Sequence, residues 1–101
     1  MYVRVWEYDV DAGLSAAFVA AYGADGDWAR LFREARGFEG TELYRNDADG
    51  TRYVTIDQWA STAAWTAFLE RYRQAYEALD ARLAGLSRGQ RELVAGTGPG
   101  A

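Results

Sequence analysis

RYVTIDQWASTAAW, residues 52–65, decides how the chain is read. Residues 52–59 alternate, with Val54 and Ile56 on one side and Tyr53, Thr55, Asp57 and Trp59 on the other. Period two with β-branched and aromatic side chains defines a strand. Ser61 then offers a hydroxyl at the position of a helix N-cap. Beyond it Trp65, Phe68, Leu69, Tyr72, Tyr76, Leu79 and Leu83 form one apolar stripe. At about 3.6 residues per turn the stripe spans about six turns of a long helix.

Working outward, residues 2–8 alternate in the same way, with Val3, Val5 and Glu7 opposite Tyr2, Arg4, Trp6 and Tyr8. Leu14, Phe18, Ala21 and Tyr22 follow at helical spacing. The segment GADGD, 23–27, breaks that helix, and Asp27 is placed to cap a second helical piece over 28–36 carrying Trp28, Leu31, Phe32 and Ala35 on one face. Gly37 ends it, and residues 38–45 read as a strand joined to 52–59 through the turn cluster NDADG. Gly85 stops the long helix, residues 90–95 form a short last strand, and 96–101 are expected to be a flexible tail after a single domain over 1–95.

The order is β-α-β-β-α-β, that of the α+β ferredoxin-like fold, an antiparallel four-stranded sheet with its helices on one face. The other face of such a sheet should be polar. Here both sides of the first and third strands are apolar, Val3, Val5, Val54 and Ile56 against Tyr2, Trp6, Tyr8, Tyr53 and Trp59. Covering the second face by a twofold partner predicts a homodimer.

Composition removes whole classes of chemistry. There is no histidine and no cysteine among the 101 residues, and every one of the 11 basic residues is arginine. Imidazole bases, thiol nucleophiles and lysine Schiff bases are therefore absent, as are the commonest zinc and haem ligands. The net charge of −4 and the lack of a basic stripe argue against nucleic acid. No run approaches 18 apolar residues, and MYVRVWEYDV lacks the form of a signal peptide, so no membrane span and a cytoplasmic location are expected. DADG lacks the rest of a calcium loop, and GADGDW does not follow a strand as a phosphate loop would.

The strand end YVTIDQWAST running into a helix, together with AYGADGDWARLFREARGFEGTEL, resembles the antibiotic biosynthesis monooxygenase family of dimeric α+β barrels over residues 2–95. The resemblance implies a metal- and flavin-free oxidation of a phenol or anthrone to a quinone by molecular oxygen, with no cofactor. The protein need only bind the flat ring, favour its carbanion and exclude water. The family's haem-degrading members hold iron through a helix histidine, which this chain lacks. The resemblance also implies site residues. The quinone-forming members' asparagine and helix tryptophan correspond to Ser61 and Trp65, their helix tyrosine to Tyr72, and a further arginine to Arg82 or Arg88.

The residues read by themselves keep alternatives beside these roles. Trp65, Phe68, Tyr72 and Tyr76 lie on a stripe that also serves as core. Tyr22, Trp28 and Phe32 could form the opposite wall of a substrate cleft between helices and sheet, with Phe68 and Tyr76. Trp59 reads as the corner of the fold, and its ring need not share a face with Trp65. Asp57, if buried, would hold its proton more tightly and could act as a base, or it could pair with Arg4 on the neighbouring strand. The expected function is thus a cofactor-independent monooxygenase of a flat aromatic, polyketide-like molecule. Its alternative is a non-catalytic module that binds such a molecule or steadies an assembly.

Overall fold

In the computed structural model, which describes residues 1–99, the strands are β1 (Tyr2–Asp9), β2 (Phe38–Arg45), β3 (Arg52–Trp59) and β4 (Gly89–Thr97). The helices are α1 (Ser15–Tyr22), α2 (Asp27–Phe32) and α3 (Thr62–Leu83). The strands form one antiparallel sheet in the order β2-β3-β1-β4. This is the ferredoxin-like arrangement, with α1, α2 and α3 on one face. Alternation decides which face: Tyr2, Tyr8, Tyr53, Thr55 and Trp59 are buried, whereas Val3, Val5, Val54 and Ile56 on the opposite side are only half-buried.

The core is a continuous layer of rings. Phe32 of α2 lies against Phe38, Trp59, Trp65 and Phe68, with centroids 5.2–6.3 Å apart, three of the four contacts edge-on. Trp59 and Trp65 do share a face, meeting edge-on at 5.3 Å. Farther along the sheet, Phe18 and Tyr22 of α1 stack at 4.2 Å and lean on Tyr8. Such pairs add about 0.5–1.5 kcal/mol each beyond their area burial.

Local chemistry places the helices over this layer. The Ser61 hydroxyl accepts from the Ala64 N–H at 3.1 Å and caps α3. Gly37 sits at φ 88°, a conformation that side chains disfavour, and a Cβ there would lie 2.7 Å from that of Ala64. Its carbonyl accepts from the Ala60 N–H at 2.7 Å, tying the start of β2 to the end of β3. Gly26 is required by closeness: a Cβ would meet the Ala21 carbonyl oxygen at 2.5 Å. This contact lets α2 fold back across α1.

Three boundaries differ from the sequence reading. Gly26, not Asp27, is the N-cap of α2; the Asp27 carboxylate takes Arg30 and Arg82 instead. The second helical piece stops at Phe32, and residues 33–36 turn without continuing it. The last strand runs past the expected tail boundary. Gly96 and Thr97 pair with Val3 and Tyr2, and the Gly98 N–H reaches the Met1 carbonyl at 2.9 Å. The remainder of the expected tail, 100–101, lies outside the described residues.

Candidate active site

The buried face of β3 carries one acidic residue. Register sets Asp57 between Thr41 of β2 and Arg4 of β1, a row of three polar residues across the middle of the sheet. One step along β3, Thr55 lies beside Trp6, and the next pairing sets Tyr53 beside Tyr8, which faces Gln90 of β4. Above this floor the helices leave a cavity of about 240 Å³. Its walls are Tyr22, Trp28, Phe32, Trp65 and Tyr76; Arg4, Trp6, Tyr8, Thr41, Thr55, Asp57 and Gln90 line the sheet side, with Asp80 contributed by α3.

Three features set the electrostatics. The Thr41 hydroxyl donates to Asp57 Oδ1 at 2.7 Å. Burial nevertheless dominates and pushes the Asp57 carboxyl up to about 6, with the Thr41 bond and the Arg4 charge opposing the shift. Arg4 does not ion-pair with Asp57, which removes one of the two alternatives that the sequence leaves open for the carboxylate. Its guanidinium lies 4.4 Å from the Trp65 ring centre and bonds Glu92 at 2.8 Å. Burial also raises the Tyr8, Tyr22 and Tyr76 hydroxyls above their usual range, so all three stay protonated.

Two buried polar atoms on the cavity residues, Trp28 Nε1 and Thr55 Oγ1, make no hydrogen bond of good geometry among the described residues; the Tyr22 and Tyr8 hydroxyls are their near partners. Each unsatisfied group costs about 1–3 kcal/mol. A ligand oxygen could accept from the indole N–H, and the threonine hydroxyl could donate or accept.

The structure brings Trp65, Tyr22, Trp28, Phe32 and Tyr76 together around the cavity. Ser61, Tyr72 and Phe68 are not among its lining. Ser61 is spent on the α3 cap. The Tyr72 hydroxyl donates to the Glu34 carbonyl at 3.2 Å, where α3 leaves helical geometry. Phe68 is wholly buried in the ring layer. Arg82 bonds Asp27 at 2.8 Å and Arg88 bonds Asp9 at 2.7 Å, and neither lines the cavity. Sequence reasoning missed Trp6, Tyr8, Thr41, Thr55, Asp80 and Gln90. For Tyr8 and Thr55 the signal was present, since they alternate in phase with Arg4 and Asp57. Among the described residues no group of three or more acidic side chains is placed to hold a metal ion.

The chain belongs to the antibiotic biosynthesis monooxygenase family, whose model matches residues 1–82. Among solved structures it is similar to the ActVA-Orf6 monooxygenase of Streptomyces coelicolor in complex with nanaomycin D. That match has a TM-score of 0.72 and 23% identity, and covers 97% of this chain and 88% of that one. It is also similar to SnoaB, a cofactor-independent oxygenase from Streptomyces nogalater, with a TM-score of 0.65, 19% identity, and coverage of 99% and 97%. An anthrone oxidase-like protein matches with a TM-score of 0.66 and 19% identity over 90% of this chain and 41% of its own. No curated protein matches the sequence.

A carboxyl held near 6 by burial affects stability in a defined direction. The folded state binds the Asp57 proton more tightly than the unfolded chain, whose value is about 3.8. Stability therefore falls as pH rises from about 4 to about 7, by up to about 3 kcal/mol. Asp57→Asn removes this loss. Its urea midpoint at pH 8 should exceed that of the wild type, and its stability should be flatter between pH 4 and 7. Equal pH dependence in the two proteins would show that Asp57 is not held as described.

Proposed function

We propose that this protein is a cofactor-independent monooxygenase that oxidises a small flat phenol or anthrone to the quinone with molecular oxygen. The observation that carries the reading is one cavity with aromatic walls, a poorly paired indole N–H and hydroxyl, and a half-buried carboxyl beneath. Trp28, Phe32 and Trp65 offer faces and edges to a planar ring system. The volume lies below the roughly 300–1,000 Å³ of common small-molecule sites and suits a bicyclic or tricyclic ring without large substituents. The neighbours described as a cofactor-independent oxygenase and as an anthrone oxidase-like protein support the same chemistry.

The reaction balances without a further reductant. A ring CH2 and O2 give C=O and water. The substrate carbanion donates an electron to oxygen, and the two radicals combine to a peroxide. Loss of the second C–H proton with O–O cleavage yields the carbonyl. The site's part is to hold the ring, keep water out and stabilise negative charge where it develops. A binding module needs the same walls but no proton acceptor; the polar floor favours catalysis.

The open sheet face, with Val3, Val5, Val54, Ile56, Val94 and Tyr44, supports a homodimer closed through that face, acting in the cytoplasm. Glu7 there bonds both Arg52 and Arg91. Sedimentation should give twice the 11.2 kDa chain mass, and Ile56→Arg should give the single chain mass. A monomeric wild type would refute the dimer.

Metal-free protein given anthrone in air should consume oxygen in proportion to protein, above autoxidation. Trp65→Phe removes part of a large ring from a half-open cavity wall and should lose about 1–2 kcal/mol of stability, yet turn over several-fold more slowly. Uptake at background, with saturable quenching of tryptophan fluorescence by the same compound, would replace the enzyme with the binding module.

A further inference from the structure

We propose that Asp57 is the base that takes the substrate's acidic C–H or phenol O–H proton, and that Thr41 positions it by fixing Oδ1. The inference deepens the oxygenase reading and rests on it for the substrate class.

Geometry carries it. Asp57 lies mid-strand on the covered face of the sheet and lines the cavity floor. It is the only carboxylate of β3, so β3 offers no other base on that face. Thr41 occupies one of its oxygens. The Arg4 guanidinium, its cross-strand neighbour, is held elsewhere by Glu92 and the Trp65 face. Asp57 is therefore not neutralised by direct pairing. It keeps acceptor capacity at the second oxygen, as an ionised carboxylate does.

The other groups around the cavity fit the same division of labour. Tyr8 comes from β1, Tyr22 from α1, and Tyr76 with Asp80 from α3. Burial keeps the three tyrosines protonated, so they can donate but not abstract. Asp80 is exposed on α3, and Glu92 is engaged by Arg4. Among these groups Asp57 alone combines a half-buried place on the cavity floor, an oxygen without a hydrogen-bond partner and a carboxyl pushed up to about 6.

The step is a proton transfer. The substrate C–H or O–H bond breaks, its electron pair stays on the ring as enolate or phenolate, and an O–H bond forms on Asp57. Arg4 supplies the nearest positive charge to the new anion. After oxygen adds, Asp57 returns its proton to the peroxide. It is reset when it takes the second C–H proton and passes it to the departing hydroxide, which leaves as water.

The test separates this step from oxygen chemistry by using anthrone under argon. Binding is followed by tryptophan quenching and ionisation by the visible absorbance of the anthrone anion. The wild type should ionise bound anthrone with a midpoint near pH 6. Asp57→Asn should bind it within a few-fold but lose at least tenfold of the anion at pH 7. Thr41→Val should keep the anion at high pH with its midpoint moved upward, and Thr41→Ser should restore the wild-type midpoint. Full ionisation by Asp57→Asn, or none by the wild type, overturns the proposal. Anion formation in the wild type that disappears in Asp57→Asn, without oxygen uptake in air, would uphold Asp57 as the proton acceptor while refuting the oxygenase reading.

Discussion

Edge-on packing around Phe32 sets the spacing between helices and sheet, and the rest of the site follows from it. Its ring touches those of Trp28, Phe38, Trp59, Trp65 and Phe68, drawn from two helices and two strands. Rings packed at angles leave gaps that aliphatic side chains would fill. Toward Trp59 the gap closes, and that residue is wholly buried. Toward Tyr8 and Tyr22 it opens into the cavity. Gly26 and Gly37 permit the close approaches that bring α2 and α3 down onto this layer.

The cavity floor is more polar than packing alone would choose. Thr41, Thr55, Asp57 and Arg4 occupy central sheet positions where valine or leucine would bury more apolar surface. At neutral pH a carboxyl pushed up to about 6, and an indole N–H and a hydroxyl poorly paired among the described residues, all lower the stability of the empty protein. The Trp59 indole N–H, outside the cavity lining, also lacks a partner among the described residues, so this cost is shared between the cavity and the packed ring layer. Beside these groups the Tyr8, Tyr22 and Tyr76 hydroxyls are held protonated by burial.

Most of the fold was legible in the chain. Alternation in YVRVWEY and RYVTIDQW marked both central strands, and the Trp65–Leu83 stripe marked α3. The last strand was read short because Gly96 and Thr97 look like tail residues; only pairing with β1 makes them strand. The site was legible in part. Aromatic residues on helix stripes pointed to the walls, but a stripe does not say which ring lines a gap and which fills the core, so Phe68 and Trp65 looked alike. The hydroxyls of Ser61 and Tyr72 looked available because their backbone partners, Ala64 and Glu34, depend on the cap and on tertiary packing. Arg4 and Asp57 are register neighbours, but the partner Arg4 takes, Glu92, lies 88 residues away.

The state of one carboxyl decides whether the cavity floor is a site. Carbon-detected NMR of the Asp57 side chain across pH 3–9, with Asp57→Asn to assign the signal, reads that state without any assumption about turnover. A midpoint near 6 in the free protein, displaced when anthrone is bound under argon, is the predicted result. A midpoint near 4 that anthrone leaves unchanged would mean that Asp57 is an ordinary solvated carboxylate, and would contradict the site described.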